Sequence, residues 1–318
     1  RTRFAQKYGF SSTQSIDQFI NNKKIESVFI LGPNNIHFEH FQMALNMPGI
    51  KSIYLEKPVC STEEEEIKMK RLFAENSGKI KIQIGFQYLQ TSAIREALKL
   101  WNRGIFGKPV HFDLKYYHGD YLQADYRKKR SGRLTPAPDG GAMADLGSHA
   151  ISLLVAFIGN NLQITGAIQA GNFPDVNAGS DLFSSISLID PDTKAAGHLS
   201  ASRISSGSGD MLSLELFAEN GRLSYSSENP KLFKYYLEKS NQQIVKYTGS
   251  DYSPDTVFPS RHADPGWLRS LIHAHYLFFT EGDTGSFIPG LDHGLTVQRL
   301  VRETAEHLSI FRKLNPHD

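Results

Sequence analysis

The chain has 318 residues, 40% hydrophobic and 21% charged, which is the balance of an ordinary folded protein of about two domains. Because 35 Lys and Arg residues face 33 Asp and Glu residues, the net charge is only +2, and we expect no nucleic-acid partner. The single cysteine, Cys60, excludes an internal disulfide and a thiolate metal cluster, and it fits a cytoplasmic location. No apolar run reaches the roughly 18 residues that span a bilayer, so we expect no membrane contact and, from the residue pattern, no metal site.

The first third of the chain alternates helical and strand-like patterns at the spacing of βαβ units, which predicts a parallel sheet covered on both faces. Short apolar runs predict three buried strands, at residues 27–31, 50–55 and 79–85. Amphipathic patterns predict the helices, at residues 1–8, 15–22, 38–47, 61–74 and 91–103. Ser15 is the expected N-cap of the second helix.

Polar residues follow each predicted strand, at the edge where doubly wound sheets bind their ligands. The three clusters are Pro33-Asn34 with His37, Glu56-Lys57-Pro58, and Phe86-Gln87-Tyr88. Each cluster alone has an ordinary structural interpretation, such as a turn, the first residue of a helix or a solvated charge. Three clusters at one edge favour a binding site.

Residues 118–138 form a polar segment that contains prolines and five Lys or Arg residues between Arg127 and Arg133. The pattern predicts a long loop, and long loops inside compact domains are often lids or binding loops. We expect Tyr121, Tyr126 and Arg127 to contact substrate, because aromatic faces suit sugar C–H surfaces and arginine suits anionic groups. A solvated loop is the alternative.

Residues 139–149, DGGAMADLGSH, join two glycines, an acid and a histidine to a long apolar run. The run over residues 143–158 predicts one buried helix, closed by Gly159 as a C-cap. Asp145 and His149 are four residues apart, so on a helix they share one face and can form a proton relay. Alternatively, Asp145 caps the helix or pairs with a basic side chain, and His149 is an interior histidine with satisfied hydrogen bonds.

The remainder of the chain predicts a large, mainly antiparallel sheet closed by helices at residues 267–280 and 294–311. The predicted strands are residues 162–170, 181–189, 194–202, 211–218, 232–238 and 243–247. The predicted domains are therefore residues 1–104, a dinucleotide-binding Rossmann domain, and residues 105–318, an α+β domain for substrate binding and oligomerisation. A sheet with one open face usually finds a partner, so we expect a homodimer or homotetramer through that face.

Taken together, the motifs resemble those of the glucose-fructose oxidoreductase, inositol dehydrogenase and rhizopine-catabolism (Gfo/Idh/MocA) family of nicotinamide-dependent oxidoreductases. The resemblance covers nearly the whole chain in the family's order, and EKP at this distance from DLGSH is specific. The matching motifs are Gly32-Pro33-Asn34 with His37, Glu56-Lys57-Pro58, Gly85-Phe86-Gln87-Tyr88, residues 104–109 (GIFGKP), and the glycine-containing run into Asp145-Leu146-Gly147-Ser148-His149.

The resemblance implies a cofactor, NAD or NADP, and a small sugar-like substrate. It also implies that Lys57, Asp145 and His149 are catalytic, with the histidine as general base or acid and the lysine touching both nicotinamide ribose and substrate hydroxyl. The cofactor pocket would be formed by Pro33, Asn34, His37, Glu56, Lys57, Pro58 and Gln87. Tyr88, with Asp145 and His149, would line the substrate pocket.

Two departures from the family pattern bear on these expectations. Only two glycines, flanked by Asp139 and Ala142, precede the acid, where the family commonly has three. The dinucleotide fingerprint GxGxxG is absent, and residues 1–10 resemble the helix that follows the second strand of a Rossmann fold. We therefore expect the sequence to be a truncated form that lacks the opening strand-helix-strand unit.

Three functions remain open from the sequence. The first is an NAD(P)-dependent oxidoreductase that acts on a secondary hydroxyl or carbonyl of a sugar or cyclitol. The second is a catalytically silent nucleotide-binding regulator or sensor on the same fold. The third is a reductase of a non-sugar carbonyl, such as a diketone or a linear tetrapyrrole.

Overall fold

A computed structural model of the chain describes residues 2–11, 16–76, 79–134, 140–170, 173, 175–176, 180–248, 266–280 and 285–314. Ser15, residues 135–138 and Asp139, which carry three of the sequence-based predictions, lie outside this set. The chain divides into two compact units, residues 1–84 and 85–318. The sequence instead assigns residues 85–104 to the first domain, and that boundary stays a prediction.

The first unit is built on a three-stranded parallel sheet in the order β1-β2-β3. Its central strand β2 is buried along its whole length, as its apolar sequence Ser-Ile-Tyr-Leu predicts. The elements are α1 (Thr2–Tyr8), α2 (Asp17–Ile20), β1 (Ser27–Ile30), α3 (His37–Leu45), β2 (Ser52–Leu55), α4 (Glu63–Glu75) and β3 (Lys81–Ile84). The three strands predicted from the sequence are therefore confirmed. The polar groups that follow β1 and β2 lie at the carboxyl edge of this sheet.

The second unit contains an eight-stranded sheet in the order β11-β10-β9-β8-β4-β7-β6-β5. Among its described strand pairs, β4 with β7 is parallel and the others are antiparallel. Its strands are β4 (Pro109–Tyr117), β5 (Gln163–Ala170), β6 (Phe183–Ile189), β7 (Ala196–Ser202), β8 (Met211–Ala218), β9 (Gly221–Ser226), β10 (Leu232–Leu237) and β11 (Gln242–Tyr247). The predicted α/β class, a Rossmann-type sheet followed by a large mainly antiparallel one, is confirmed.

The described α-helices of the second unit are α5 (Ser92–Trp101), α6 (Ala124–Lys129), α7 (Ser148–Ile158), α8 (Trp267–Phe279) and α9 (Leu291–Leu314). Helix α5 packs on β9 and β10 and α9 packs on β5, whereas α8 packs on the 3-10 turn Gln87–Gln90. Helix α7 packs against β4 and α9, and its Ile151, Leu153 and Leu154 are completely buried. The indole Nε1 of Trp101 donates to the backbone oxygen of Phe157 at 2.9 Å, which fixes α5 to the end of α7. The segment that carries Asp145 and His149 therefore rests on a packed core.

The structure departs from the sequence-based predictions for the second unit in three places. Residues 143–158 are helical as predicted, but Met143–Gly147 forms a π-helical turn before the α-helix α7 begins. The described part of residues 118–138 is not a loop, because it contains α6 and two 3-10 turns, Asp120–Leu122 and Ser131–Arg133. Strand β9 was not predicted, because Asn220-Gly221 reads as a turn and Arg222 and Ser224 interrupt the apolar pattern.

Candidate active site

A buried carboxylate holds the backbone at the start of the π-helical turn. The Oδ2 of Asp181 accepts from Met143 N at 2.8 Å, and its backbone oxygen accepts from Ala142 N at 2.8 Å. Burial raises the pKa of Asp181, against the opposing effect of the Met143 amide. Gly141 has φ = +87° and lies directly against the Asp181 carboxylate, so a side chain does not fit there. The second glycine of the motif thus allows the close approach that this anchor requires.

We expect Gly141→Ala to lower the free energy of unfolding by about 2–4 kcal/mol, because it adds left-handed backbone strain and displaces a buried, hydrogen-bonded carboxylate. Gly132 is the matched control, since a Cβ there meets no atom within 4 Å. Gly132→Ala should change the stability by no more than about 0.5 kcal/mol. Urea denaturation of both variants measures the difference, and equal losses would contradict the anchor.

Two arginines bind the Asp145 carboxylate, which lies in the π-helical turn. Arg203, completely buried at the end of β7, donates from Nη2 to Asp145 Oδ2 at 2.8 Å and from Nη1 to the backbone oxygen of Arg133 at 2.7 Å. The Arg133 side chain, which is 60% exposed, donates from Nη1 to Asp145 Oδ2 at 3.3 Å. The guanidinium of Arg203 also lies over the Tyr121 ring, 4.7 Å from its centroid. The carboxylate is therefore held in one orientation.

His149, in the first turn of α7, is buried inside an aromatic frame. The rings of Phe86, Tyr88 and Tyr116 meet its imidazole edge to face, with centroids 6.1, 5.2 and 6.1 Å away. The frame restricts the imidazole to a narrow range of orientations. The structure thus brings Tyr88, Asp145 and His149 together in one unit, around the π-helical turn. Such turns occur frequently at functional sites.

Tyr88 and Tyr116 form a hydrogen-bonded chain that ends at an exposed carboxylate. Tyr116 donates its hydroxyl proton to Asp210 Oδ1 at 3.0 Å, and its oxygen lies 2.6 Å from the Tyr88 hydroxyl. Because Tyr116 has a single proton, Tyr88 is the donor in their shared bond. Burial raises the pKa of both phenols, and nearby Asp210 adds to this effect, so both phenols stay protonated. The chain fixes the Tyr88 ring beside His149.

The remaining residues predicted to touch substrate are occupied by contacts within the protein. Arg127 is buried and donates to Asp175 Oδ2 at 2.8 Å and to the backbone oxygens of Tyr121 and Leu122. Its guanidinium also lies 4.3 Å from the Phe173 ring centroid. Tyr121 is buried, and Tyr126 packs edge to face against it at 5.1 Å. Substrate contacts by Tyr121, Tyr126 and Arg127 stay predictions.

In the first unit, the predicted cofactor residues lie at the ends of β1 and β2. Pro33 and Asn34 open a short 3-10 turn after β1, whereas Glu56, Lys57 and Pro58 follow β2. Burial raises the pKa of Glu56, and the nearby Lys57 ammonium opposes this effect. The Lys57-Pro58 peptide bond is cis. Gln87, also predicted to bind cofactor, belongs to the second unit and begins a 3-10 turn.

The chemistry of this edge fits a dinucleotide. The Asn34 amide and the Lys57 ammonium are donors suited to phosphate and ribose oxygens, and Glu56 is an acceptor suited to a ribose hydroxyl. The described residues form no group of three or more His, Cys, Asp or Glu side chains arranged to hold a metal ion. None of the described helices is long and apolar enough to cross a membrane.

A parallel sheet with polar groups at its carboxyl edge is followed by a unit in which the partly buried Asp145 and the buried His149 lie around one helical turn, and this architecture is typical of two-domain nucleotide-dependent oxidoreductases. Comparison with known families agrees in both units. The profile of the oxidoreductase family with an NAD-binding Rossmann fold matches residues 1–85, and the profile of the GFO/IDH/MocA C-terminal domain matches residues 94–224. The chain therefore belongs to the Gfo/Idh/MocA family of NAD-dependent oxidoreductases.

Similar proteins include a 1-carboxy-3-chloro-3,4-dihydroxycyclohexa-1,5-diene dehydrogenase of Comamonas testosteroni, which is 29% identical over 139 residues, 44% of this chain and 33% of that protein. The chain spans about half or less of the curated relatives that it matches. An NAD-binding oxidoreductase of Klebsiella pneumoniae has a TM-score of 0.77 at 23% identity, over 98% of this chain and 85% of that one. An inositol dehydrogenase homologue of Azotobacter vinelandii, solved with NAD⁺, has a TM-score of 0.79 at 18% identity, over 97% of this chain and 84% of that one.

The sequence did not point to several residues that shape the site. Arg203 and Arg133 bind Asp145, Asp181 anchors the turn, and Asp210 orients the tyrosines through Tyr116. Arg203 had one available signal, since it is the one charged residue within the run LSASRIS, residues 199–205. Its partner is 58 positions away, and no local pattern connects the two residues.

Proposed function

We propose that the protein is an NAD(P)-dependent dehydrogenase or reductase that transfers hydride between the nicotinamide and a secondary hydroxyl or carbonyl of a cyclic, polyhydroxylated small molecule. The observation that carries this proposal is an arginine-held Asp145 that lies four residues before the buried, aromatic-framed His149 in one helical segment. In a family of oxidoreductases, this arrangement supplies an oriented acid and base.

Each residue has a distinct part in the proposed reaction. NAD(P)⁺, when bound, accepts hydride from the alcohol carbon. His149 removes the hydroxyl proton as general base, since an imidazole can both accept and release a proton near neutral pH. Asp145, held by Arg203, orients the substrate hydroxyl or the imidazole. Lys57 stabilises the developing alkoxide with its ammonium group, a role assigned from the family resemblance.

The substrate class follows from the relatives' names and from the aromatic frame. The Comamonas relative is named for a carboxylated cyclic diol, and the Azotobacter structure is an inositol dehydrogenase homologue. Both names describe rings with neighbouring hydroxyl groups. Tyr88, beside His149, has an aromatic face that suits the C–H surface of such a ring. We therefore propose a sugar, a cyclitol or a related cyclic diol as substrate.

A panel assay tests this function. Purified full-length protein, including any residues that precede Arg1, is mixed with NAD⁺ or NADP⁺ and each of a set of sugars, cyclitols and cyclic diol acids. We expect the absorbance of reduced nicotinamide to rise with at least one compound and with a preference for one cofactor. Diketones and linear tetrapyrroles, assayed with NADH and NADPH, test the non-sugar alternative in the same experiment.

The competing proposal is a regulator that binds nucleotide without turnover. Tight NAD(P) binding with no turnover on any compound, together with a stable protein complex in pull-downs, would favour it over the enzyme.

For assembly, we propose a homodimer or homotetramer through the exposed face of the eight-stranded sheet. A monomeric mass by light scattering at micromolar concentration would contradict that assembly. We also propose a cytoplasmic location, from the single cysteine.

A further inference from the structure

His37 has an unusual hydrogen-bond pattern for a buried histidine. It is the first residue of α3 and is only 1% exposed. Its Nδ1 lies 2.6 Å from the backbone oxygen of Pro58, and its Nε2 lies 2.9 Å from the backbone oxygen of Gly32. Both ring nitrogens therefore face carbonyl oxygens, which only accept hydrogen bonds.

A neutral imidazole has one N–H group and so can make only one of these two bonds. Both bonds form together when the ring is an imidazolium with two N–H groups. We propose that His37 is held as a buried imidazolium that ties the turn after β1 to the turn after β2 and thereby positions Lys57. The effect on Lys57 rests on the proposed function, whereas the protonation of His37 does not.

The link lies at a point where the sheet no longer connects the two chain segments. Glu56 N donates to Ile30 O at 3.0 Å, and within the described residues this is the last backbone bond between the ends of β1 and β2. Beyond it, the His37 ring joins Gly32 to Pro58, and Pro58 is covalently attached to Lys57. The ring thus extends the cross-connection of the sheet into the two turns predicted to hold the cofactor.

This arrangement changes the predicted role of His37. Because both nitrogens are engaged with protein carbonyls, the ring offers no polar atom to a nucleotide, and His37 acts as a positioning residue. Titratable and charged groups lie on each element that packs around the ring. They are Glu39 and His40 of α3, Tyr54, Glu56 and Lys57 at the end of β2, and, on α4, Glu63, Glu64, Glu65, Glu66, Lys68, Lys70, Arg71 and Glu75.

Histidine ¹⁵N NMR of the full-length wild-type protein tests the protonation without any substrate. We expect one buried histidine to show imidazolium shifts at both ring nitrogens at pH 7.5, and we expect that signal to disappear in His37→Gln. His40→Gln, one helical turn further along α3, is the matched control and should keep it. A single-tautomer neutral spectrum for His37 between pH 6 and 8 would overturn the proposal, and the wild-type titration yields this result even if His37→Gln folds poorly.

The positioning of Lys57 is tested separately, by binding and turnover. A glutamine amide has both of its N–H donors on one nitrogen. It therefore cannot replace the two separate ring nitrogens of His37 that face the backbone oxygens of Pro58 and Gly32. We expect His37→Gln to weaken NAD⁺ binding, measured by calorimetry, about tenfold, and His40→Gln to change it less than twofold. On any compound that the panel identifies, kcat of His37→Gln should fall at saturating NAD⁺. Unchanged affinity and kcat would overturn the positioning role, whereas a panel without turnover would contradict only the proposed function.

Discussion

Replacing Arg203 with methionine is expected to lower the free energy of unfolding by about 3–5 kcal/mol. Arg203 is completely buried, and its guanidinium binds the Asp145 carboxylate and the Arg133 backbone oxygen while stacking on Tyr121. Methionine fills a similar volume but leaves a largely buried carboxylate without its main charged partner. Desolvation of an uncompensated charge is the dominant cost. Urea denaturation measures the change.

Arg133→Met is the matched control, because it removes the other guanidinium from the same carboxylate oxygen. The Arg133 side chain is 60% exposed, and exposed ion pairs contribute about 1 kcal/mol or less. Adding Asp145→Leu to Arg203→Met removes the stranded carboxylate and should recover part of the lost stability. Two results would contradict a role of the buried ion pair in stabilising the π-helical turn. One is an equal loss of unfolding free energy in Arg133→Met and Arg203→Met, and the other is no regain of stability in the double variant.

The buried strands of the first unit were predictable because their signal is local. Each is a short apolar run followed by polar or turn residues, and the structure confirms all three. Strand β9 was not predictable in the same way. Its buried Leu223 and Tyr225 alternate with the partly exposed Arg222 and Ser224, and this short alternation directly follows a turn signal. The helical content of residues 118–134 was hidden by polar composition, since short 3-10 turns have no apolar periodicity.

The candidate site was predictable only where chemistry and spacing coincide in the sequence. Asp145 and His149 are four residues apart, and that spacing correctly placed them at one end of a buried helix. The groups that hold them come from distant parts of the chain: Arg203 follows β7, and Tyr116 lies in β4. The sequence also does not predict the π-helical turn, because the turn depends on the tertiary hydrogen bond between Asp181 and Met143 and not on a local residue preference.

Replacing His149 with alanine is expected to lower kcat at least about 10²-fold on whichever substrate the panel identifies. The histidine is the proposed base, and an alanine methyl group cannot accept the substrate proton. The neighbouring rings of Phe86, Tyr88 and Tyr116 provide no replacement base. For alcohol oxidation, activity falls with decreasing pH because the base must be unprotonated to act. This acid limb should be present in the wild type and lost in His149→Ala, whose residual rate depends on hydroxide and solvent.

Ser148→Ala is the control for disturbance of the helix start. Its hydroxyl makes a long hydrogen bond of 3.4 Å to the Asp145 backbone oxygen and has no proposed part in the reaction, so kcat should change less than about threefold. A large loss in Ser148→Ala would attribute the His149→Ala effect to local structure. Normal turnover in His149→Ala, or an acid limb that persists there unchanged, would remove His149 from the mechanism and leave proton transfer to another group. If His149 is the base, the loss appears in kcat for alcohol oxidation while NAD(P)⁺ affinity stays within about twofold of wild type, because the imidazole acts on the substrate hydroxyl and not on the nucleotide.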